Sequence, residues 1–127
     1  MSIQDKADQI RRLYLHPEHF GKLLNFTHEG ENVNMSCGDE VHYYIQIEND
    51  VIKDISFTGS GCSLCIATAS LLASALIGAP ATKISSLSPA DVLALTGVDS
   101  GSKRETCCLI SYNALLNAVK SDRYGET

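Results

Sequence analysis

Three cysteines in this chain, Cys37, Cys62 and Cys107, stand at boundaries between regular elements, where binding and reaction sites are usually built. A thiol in a turn or at a helix N-terminus meets unpaired backbone N–H groups and the positive end of the helix dipole, and both favour thiolate over thiol. A thiolate is a nucleophile and a soft metal ligand, so one arrangement serves either sulfur transfer or metal binding. Asp39 follows Cys37 with only Gly38 between them. Alternate residues of an extended segment share a side, so its carboxylate can join the same centre. Three thiolates and one carboxylate would fill a tetrahedral site. Gly38 and the Gly59-Ser60-Gly61 run supply backbone that can take positive φ and come close to whatever the thiolates hold.

The other two cysteines receive a plainer reading. Cys62-Ser63-Leu64-Cys65 has the CxxC spacing of a zinc knuckle or a redox pair, but a zinc ribbon needs a second such pair and the chain has none. Helical spacing places Cys65 beside Ile66 and Ala69 as a buried small hydrophobe. Cys107 and Cys108 are consecutive, and consecutive helical positions diverge by about 100°, so only one can face the site. Cys108 shares an apolar stripe with Tyr112 and Leu115, which leaves Cys107 for the chemistry. Arg104 is close enough in sequence to favour the Cys107 thiolate electrostatically. The histidines are assigned no role: His16 and His19 flank the Pro17 turn, His28 sits in a polar loop, and His42 alternates outward with Gln46. None shows the paired spacing of a metalloprotease helix, and no serine lies in a nucleophile-elbow pattern.

Elements must position these groups. Ile3, Ala7, Ile10 and Tyr14 are spaced as one face of a first helix, ending near His16-Pro17 and followed by a loop through Gly21. Val41, Tyr43, Ile45 and Ile47 alternate on one face of a strand, Asn49-Asp50 supplies a turn, and Val51 to Phe57 returns antiparallel. A third strand is expected around Leu23 to Thr27 or Asn32 to Ser36. Ile66 to Ile77 reads as a mostly buried helix stopped by Gly78 and Pro80. Ser88-Pro89 opens another, running to Leu95 before Gly97, and a last helix spans Cys107 to Val119. The expected fold is α+β, a small antiparallel three-stranded sheet with helices packed on one face. With 127 residues, no repeat and no linker, residues 1–127 read as a single domain with a polar tail from Ser121 to Thr127.

Composition narrows the function classes. A formal net charge of −5 and no basic cluster beyond Arg11-Arg12 and Lys103-Arg104 give no electrostatic reason to expect nucleic acid. The polar residues Met1 to Arg12 are the opposite of a signal core, and the apolar stretch from Ile66 to Pro80 is too short for a membrane span. The expectation is a cytoplasmic protein, in which an odd number of cysteines, five, argues against a disulfide framework.

Several motifs together resemble the iron–sulfur cluster assembly scaffolds of the IscU, SufU and NifU N-terminal type. They are Tyr14 to Gly21, with its His-Pro turn; Cys37-Gly38-Asp39 ahead of a hairpin; Phe57 followed by Gly61-Cys62; Ala69-Ser70; and Arg104-Glu105-Thr106-Cys107 leading to Asn113-Ala114-Leu115. The resemblance implies an IscU/SufE-like sandwich in which Cys37, Asp39, Cys62 and Cys107 hold a transient two-iron two-sulfur cluster or a zinc ion. It implies a cysteine desulfurase as sulfur donor, Cys107 as persulfide acceptor and apo iron–sulfur proteins as recipients. Asp39 is then the weak ligand, because a hard carboxylate holds a soft centre less firmly than thiolate does. Two activities stay open: a scaffold that builds and transfers the cluster, and a zinc-dependent sulfurtransferase of the SufU kind. A structural or regulatory zinc protein is the third alternative. The IscU branch has a histidine before its third cysteine and a Leu-Pro-Pro-Val-Lys segment read by a dedicated Hsp70 chaperone. Here Thr106 and Val98 to Lys103 occupy those places, so handover to that chaperone is not carried over. Arg104 matches the SufU branch, but the interval from Cys62 to Cys107 lacks that branch's insertion.

Overall fold

The computed structural model describes residues 3–36 and 38–120. Cys37, the expected tail from Ser121 to Thr127 and the side chain of Ile3 lie outside the described residues. In chain order the elements are α1 (Ile3–Leu15), β1 (His28–Asn34), β2 (Asp39–Glu48), β3 (Val51–Ser60), α2 (Ser63–Leu76), α3 (Thr82–Ser86), α4 (Pro89–Thr96) and α5 (Glu105–Lys120). The strands form one antiparallel sheet in the order β1-β2-β3.

The β2–β3 hairpin follows directly from its residues. Asn49 and Asp50 both adopt positive φ, 53° and 64°, the backbone that a tight turn between twisted strands requires. Register pairs Tyr43 with Phe57 and Ile45 with Ile55, all fully buried. Burial holds the Tyr43 phenol well above its ordinary range, so it stays protonated and donates to the Ala69 carbonyl of α2 at 2.7 Å.

Helices α2 and α5 cover this apolar face, and α1 and α4 pack against α2. Helix α2 is buried continuously from Leu64 to Ser70, as a central rod must be. Its small residues let neighbours approach, and its hydroxyls are satisfied: Thr68 donates to Leu64 O at 2.7 Å and Ser70 to Glu18 O at 2.9 Å. Helix α4 opens with the expected serine cap. Ser88 accepts from the Asp91 N–H at 3.3 Å while Asp91 accepts from the Ser88 N–H at 2.9 Å, and Gly97 closes the helix at φ 79°.

Some expectations are corrected. The third strand is His28–Asn34, so His28 begins a strand rather than sitting in a loop. Its residues are mostly polar because one face meets water. On the other, Gly30 lies so close to the α5 backbone at Asn117 and Ala118 that no Cβ would fit. Helix α1 buries Leu13, whereas Tyr14, expected on the packed stripe, is 44% exposed. Helix α2 begins three residues before Ile66 and α5 two before Cys107; α3, just after Pro80, was not expected.

The loop through Gly21 is also more ordered than its sequence suggests. Gly21 donates to Phe57 O at 2.7 Å and Phe57 donates to His19 O at 3.0 Å. Residues His19 to Gly21 thus lie parallel along the outer edge of β3, with the Phe20 ring edge-on to Phe57.

Candidate thiolate and carboxylate site

Three of the four expected ligands within reach of description meet at one end of the sheet. Asp39 is the first residue of β2, Cys62 is the N-cap of α2, and Cys107 lies in the first turn of α5. One ligand atom from each lies within 4.8 Å of the other two. Asp39 is buried, Cys107 half-buried and Cys62 exposed, so the group opens to solvent on the Cys62 side. Cys37, the fourth expected ligand, lies outside the described residues.

Local physics explains each placement. Cysteine is a poor helix cap, and the Cys62 side chain makes no capping hydrogen bond. Asp39 supplies the missing acceptor from another strand: its Oδ1 accepts the Cys62 N–H at 3.2 Å. Gly61 allows this. Its φ is +153°, and a Cβ there would stand 2.6 Å from Asp39 Oδ1. The N-termini of two long helices, α2 and α5, therefore converge on one buried carboxylate and two sulfurs, and both dipoles present their positive ends to anionic ligands. Glu105, two residues before Cys107 in the chain, accepts the Gly101 N–H at its Oε1 at 2.6 Å.

The donor set suits a soft or borderline metal. Ligand atoms around tetrahedral zinc stand about 3.5–3.8 Å apart, given bonds of about 2.0–2.3 Å. Separations within 4.8 Å need only small side-chain rotations to reach that spacing. Two sulfurs and one oxygen leave room for a fourth donor, which neither water nor a thiolate would be excluded from supplying.

The remaining residues fall as follows. Cys65 and Cys108 are fully buried in the core, as expected of them, with Cys108 Sγ 3.5 Å from Thr96 Oγ1. Arg104 is exposed just before α5 and lines clefts against Ala7 and Ile10 of α1. His42 faces outward between Glu29 and Glu31, at 2.9 and 3.2 Å. Sequence reading missed the tie between Asp39 and the Cys62 N–H. A cysteine at a cap position was its one signal, since that N–H needs an acceptor from elsewhere.

The profile of the NifU-like N terminal domain matches residues 5–125. The chain belongs to that family. It is 43% identical over 67 residues to the iron-sulfur cluster assembly scaffold protein IscU of Thermotoga maritima, a match covering 53% of this chain and 47% of that protein, about half its length. It is 27% identical to the zinc-dependent sulfurtransferase SufU of Bacillus subtilis, with 89% of this chain and 88% of the relative covered. Among solved structures it superposes on the N-terminal part of a nitrogen-fixing NifU-like protein from Brucella abortus. There the TM-score is 0.76 at 18% identity, with 97% of this chain and 99% of the other covered. That likeness concerns the fold, and the fold is the expected sheet with helices on one face. No described helix is long and apolar enough to cross a membrane.

Proposed function

We propose that this chain is an iron–sulfur cluster assembly scaffold of the cytoplasm, which accepts sulfur from a cysteine desulfurase and passes a two-iron two-sulfur cluster to apoproteins. The observation that carries the reading is the meeting of Asp39, Cys62 and Cys107 within 4.8 Å at two helix N-termini, in a chain whose relatives include IscU scaffolds. Cys37, Asp39, Cys62 and Cys107 would hold the cargo. Cys107 would take the sulfur: its thiolate attacks the outer sulfur of the donor's persulfide, the donor's S–S bond breaks, and the donor leaves as thiolate. Arg104, one turn ahead, would support that thiolate. Asp39 would be the ligand released first, since its oxygen binds a soft centre weakly.

Anaerobic reconstitution with iron, cysteine and a desulfurase tests this reading. The expected outcome is visible absorption from a cluster together with acid-labile sulfide. Stoichiometric zinc with no cluster would instead favour the second reading, a zinc-dependent sulfurtransferase. Two observations support that alternative: the near full-length relative from Bacillus subtilis carries that name, and the donor set suits zinc.

A further inference from the structure

The CxxC spacing at the start of α2 is absorbed by neither reading, since only Cys62 of the pair belongs to the ligand group. Cys62 is the N-cap and Cys65 is the third residue of the helix. The same two positions in α4 are held by Ser88 and Asp91, whose side chains each reach back to the other's backbone N–H. Both caps have extended backbone, with φ and ψ of −73° and 167° at Cys62 and −114° and 162° at Ser88. The two thiols therefore stand at the same N-cap and third-residue positions as that pair, without the capping hydrogen bonds that Ser88 and Asp91 make. Helical residues three apart have Cα atoms about 5 Å apart, inside the roughly 4.4–6.8 Å range a disulfide spans.

Their surroundings divide the labour. Cys62 is exposed, whereas Cys65 is fully buried against the core, beneath Tyr43 and the Ser111 hydroxyl that bonds its carbonyl at 3.4 Å. Reagents and partners reach Cys62; Cys65 is sheltered from them and reacts only with a neighbour in its own chain. Cys107 and Cys108, by contrast, are consecutive on a helix and point about 100° apart.

We propose that Cys65 is a resolving thiol for sulfur bound at Cys62, so that the pair turns persulfide into sulfide. This inference rests on the reading of the site as a sulfur acceptor. The Cys62 thiolate, whose sulfur lies within 4.8 Å of that of Cys107, takes the outer sulfur of a Cys107 persulfide and leaves Cys107 as thiolate. The Cys65 thiolate then attacks Cys62 Sγ, a Cys62–Cys65 disulfide forms, and the outer sulfur departs with the bonding electrons as hydrosulfide. Overall, one sulfane sulfur is reduced to sulfide by two electrons from the two thiols, whose protons leave as hydrogen sulfide. The sulfide is released beside Asp39 and Cys107, where a cluster would take it up. While bridged, Cys62 cannot serve as a ligand, and an external dithiol resets the pair.

The test treats the reduced full chain anaerobically with cysteine persulfide, removes the reagent, measures sulfide and maps tryptic fragments by mass. Cleavage after Lys53 and Lys83 leaves Cys62 and Cys65 together in one fragment, apart from Cys107 and Cys108. The wild-type chain should release on the order of one sulfide per chain, and its 54–83 fragment should lose two hydrogens. Cys65→Ser should keep one extra sulfur mass on Cys62 and release at most a small fraction of that sulfide. Cys65→Ala, which removes the thiol without placing a hydroxyl in the buried space, should behave alike. Sulfide release from both variants at the wild-type level would overturn the proposal, as would a disulfide joining the 54–83 fragment to Cys107. Absence of added sulfur in every variant would instead overturn the acceptor reading, and the resolving role with it.

Discussion

At Gly61 two demands coincide. The backbone takes a positive φ, and a side chain would strike the carboxylate that caps α2. Gly61→Ala should therefore strain the turn and push Asp39 from the Cys62 N–H, at a cost of about 1–3 kcal/mol to the fold. Zinc affinity, measured by competition with a chromophoric chelator, should fall about 10–100-fold, the loss typical when the orientation of ligands is disturbed. An unchanged affinity would remove Asp39 from the ligand set. The residue scale is also where the sequence was most informative. Cys62, Cys107 and Asp39 could be grouped from boundary positions and alternation alone, and Cys65 and Cys108 from helical spacing. The bond from Cys62 N–H to Asp39 was not legible, because it joins residues 23 apart whose meeting depends on how β2 and α2 end.

At the scale of elements, local chemistry predicts what is local. The α4 cap is an instance: hydrogen bonds from the Ser88 backbone N–H and hydroxyl hold the Asp91 carboxyl below its usual value. A lowered folded-state value means that the carboxylate stabilises the helix fully above about pH 4. That contribution fades as pH falls through the lowered value. Asp91→Asn should accordingly lower the melting temperature at pH 7, with the gap to wild type narrowing below pH 4; a gap independent of pH would exclude the charge. Strand β1 shows the opposite case. Glu29, Glu31, Asn32 and Asn34 carry no strand pattern, and their conformation is imposed by pairing to β2 and by the fit of Gly30 under α5. Such fits join distant parts of the chain, so no window of sequence contains them. The β2–β3 hairpin was readable for the converse reason: its alternation and its turn residues lie within one short stretch.

Over the whole molecule, stability and site are separable. The core runs from Val41 and Tyr43 in the sheet through Leu72 and Leu76 of α2 to Ala114 and Leu115 of α5, while the ligands gather at one end. Cys107→Ser, or removal of metal with a chelator, should thus leave a cooperatively folding chain by calorimetry while abolishing cluster or zinc retention. Unfolding on metal removal would make the site a folding ligand, as in small structural zinc domains. The clip formed by His19 to Gly21 acts on this same scale. It occupies the outer backbone groups of β3 around Phe57, so the segment after α1 shields a row of hydrogen-bonding groups that would otherwise recruit another strand. Loosening it would not first show as loss of the hairpin. It would show as chains adding to one another along β3, so resistance to that association depends on a short stretch at the edge of the sheet.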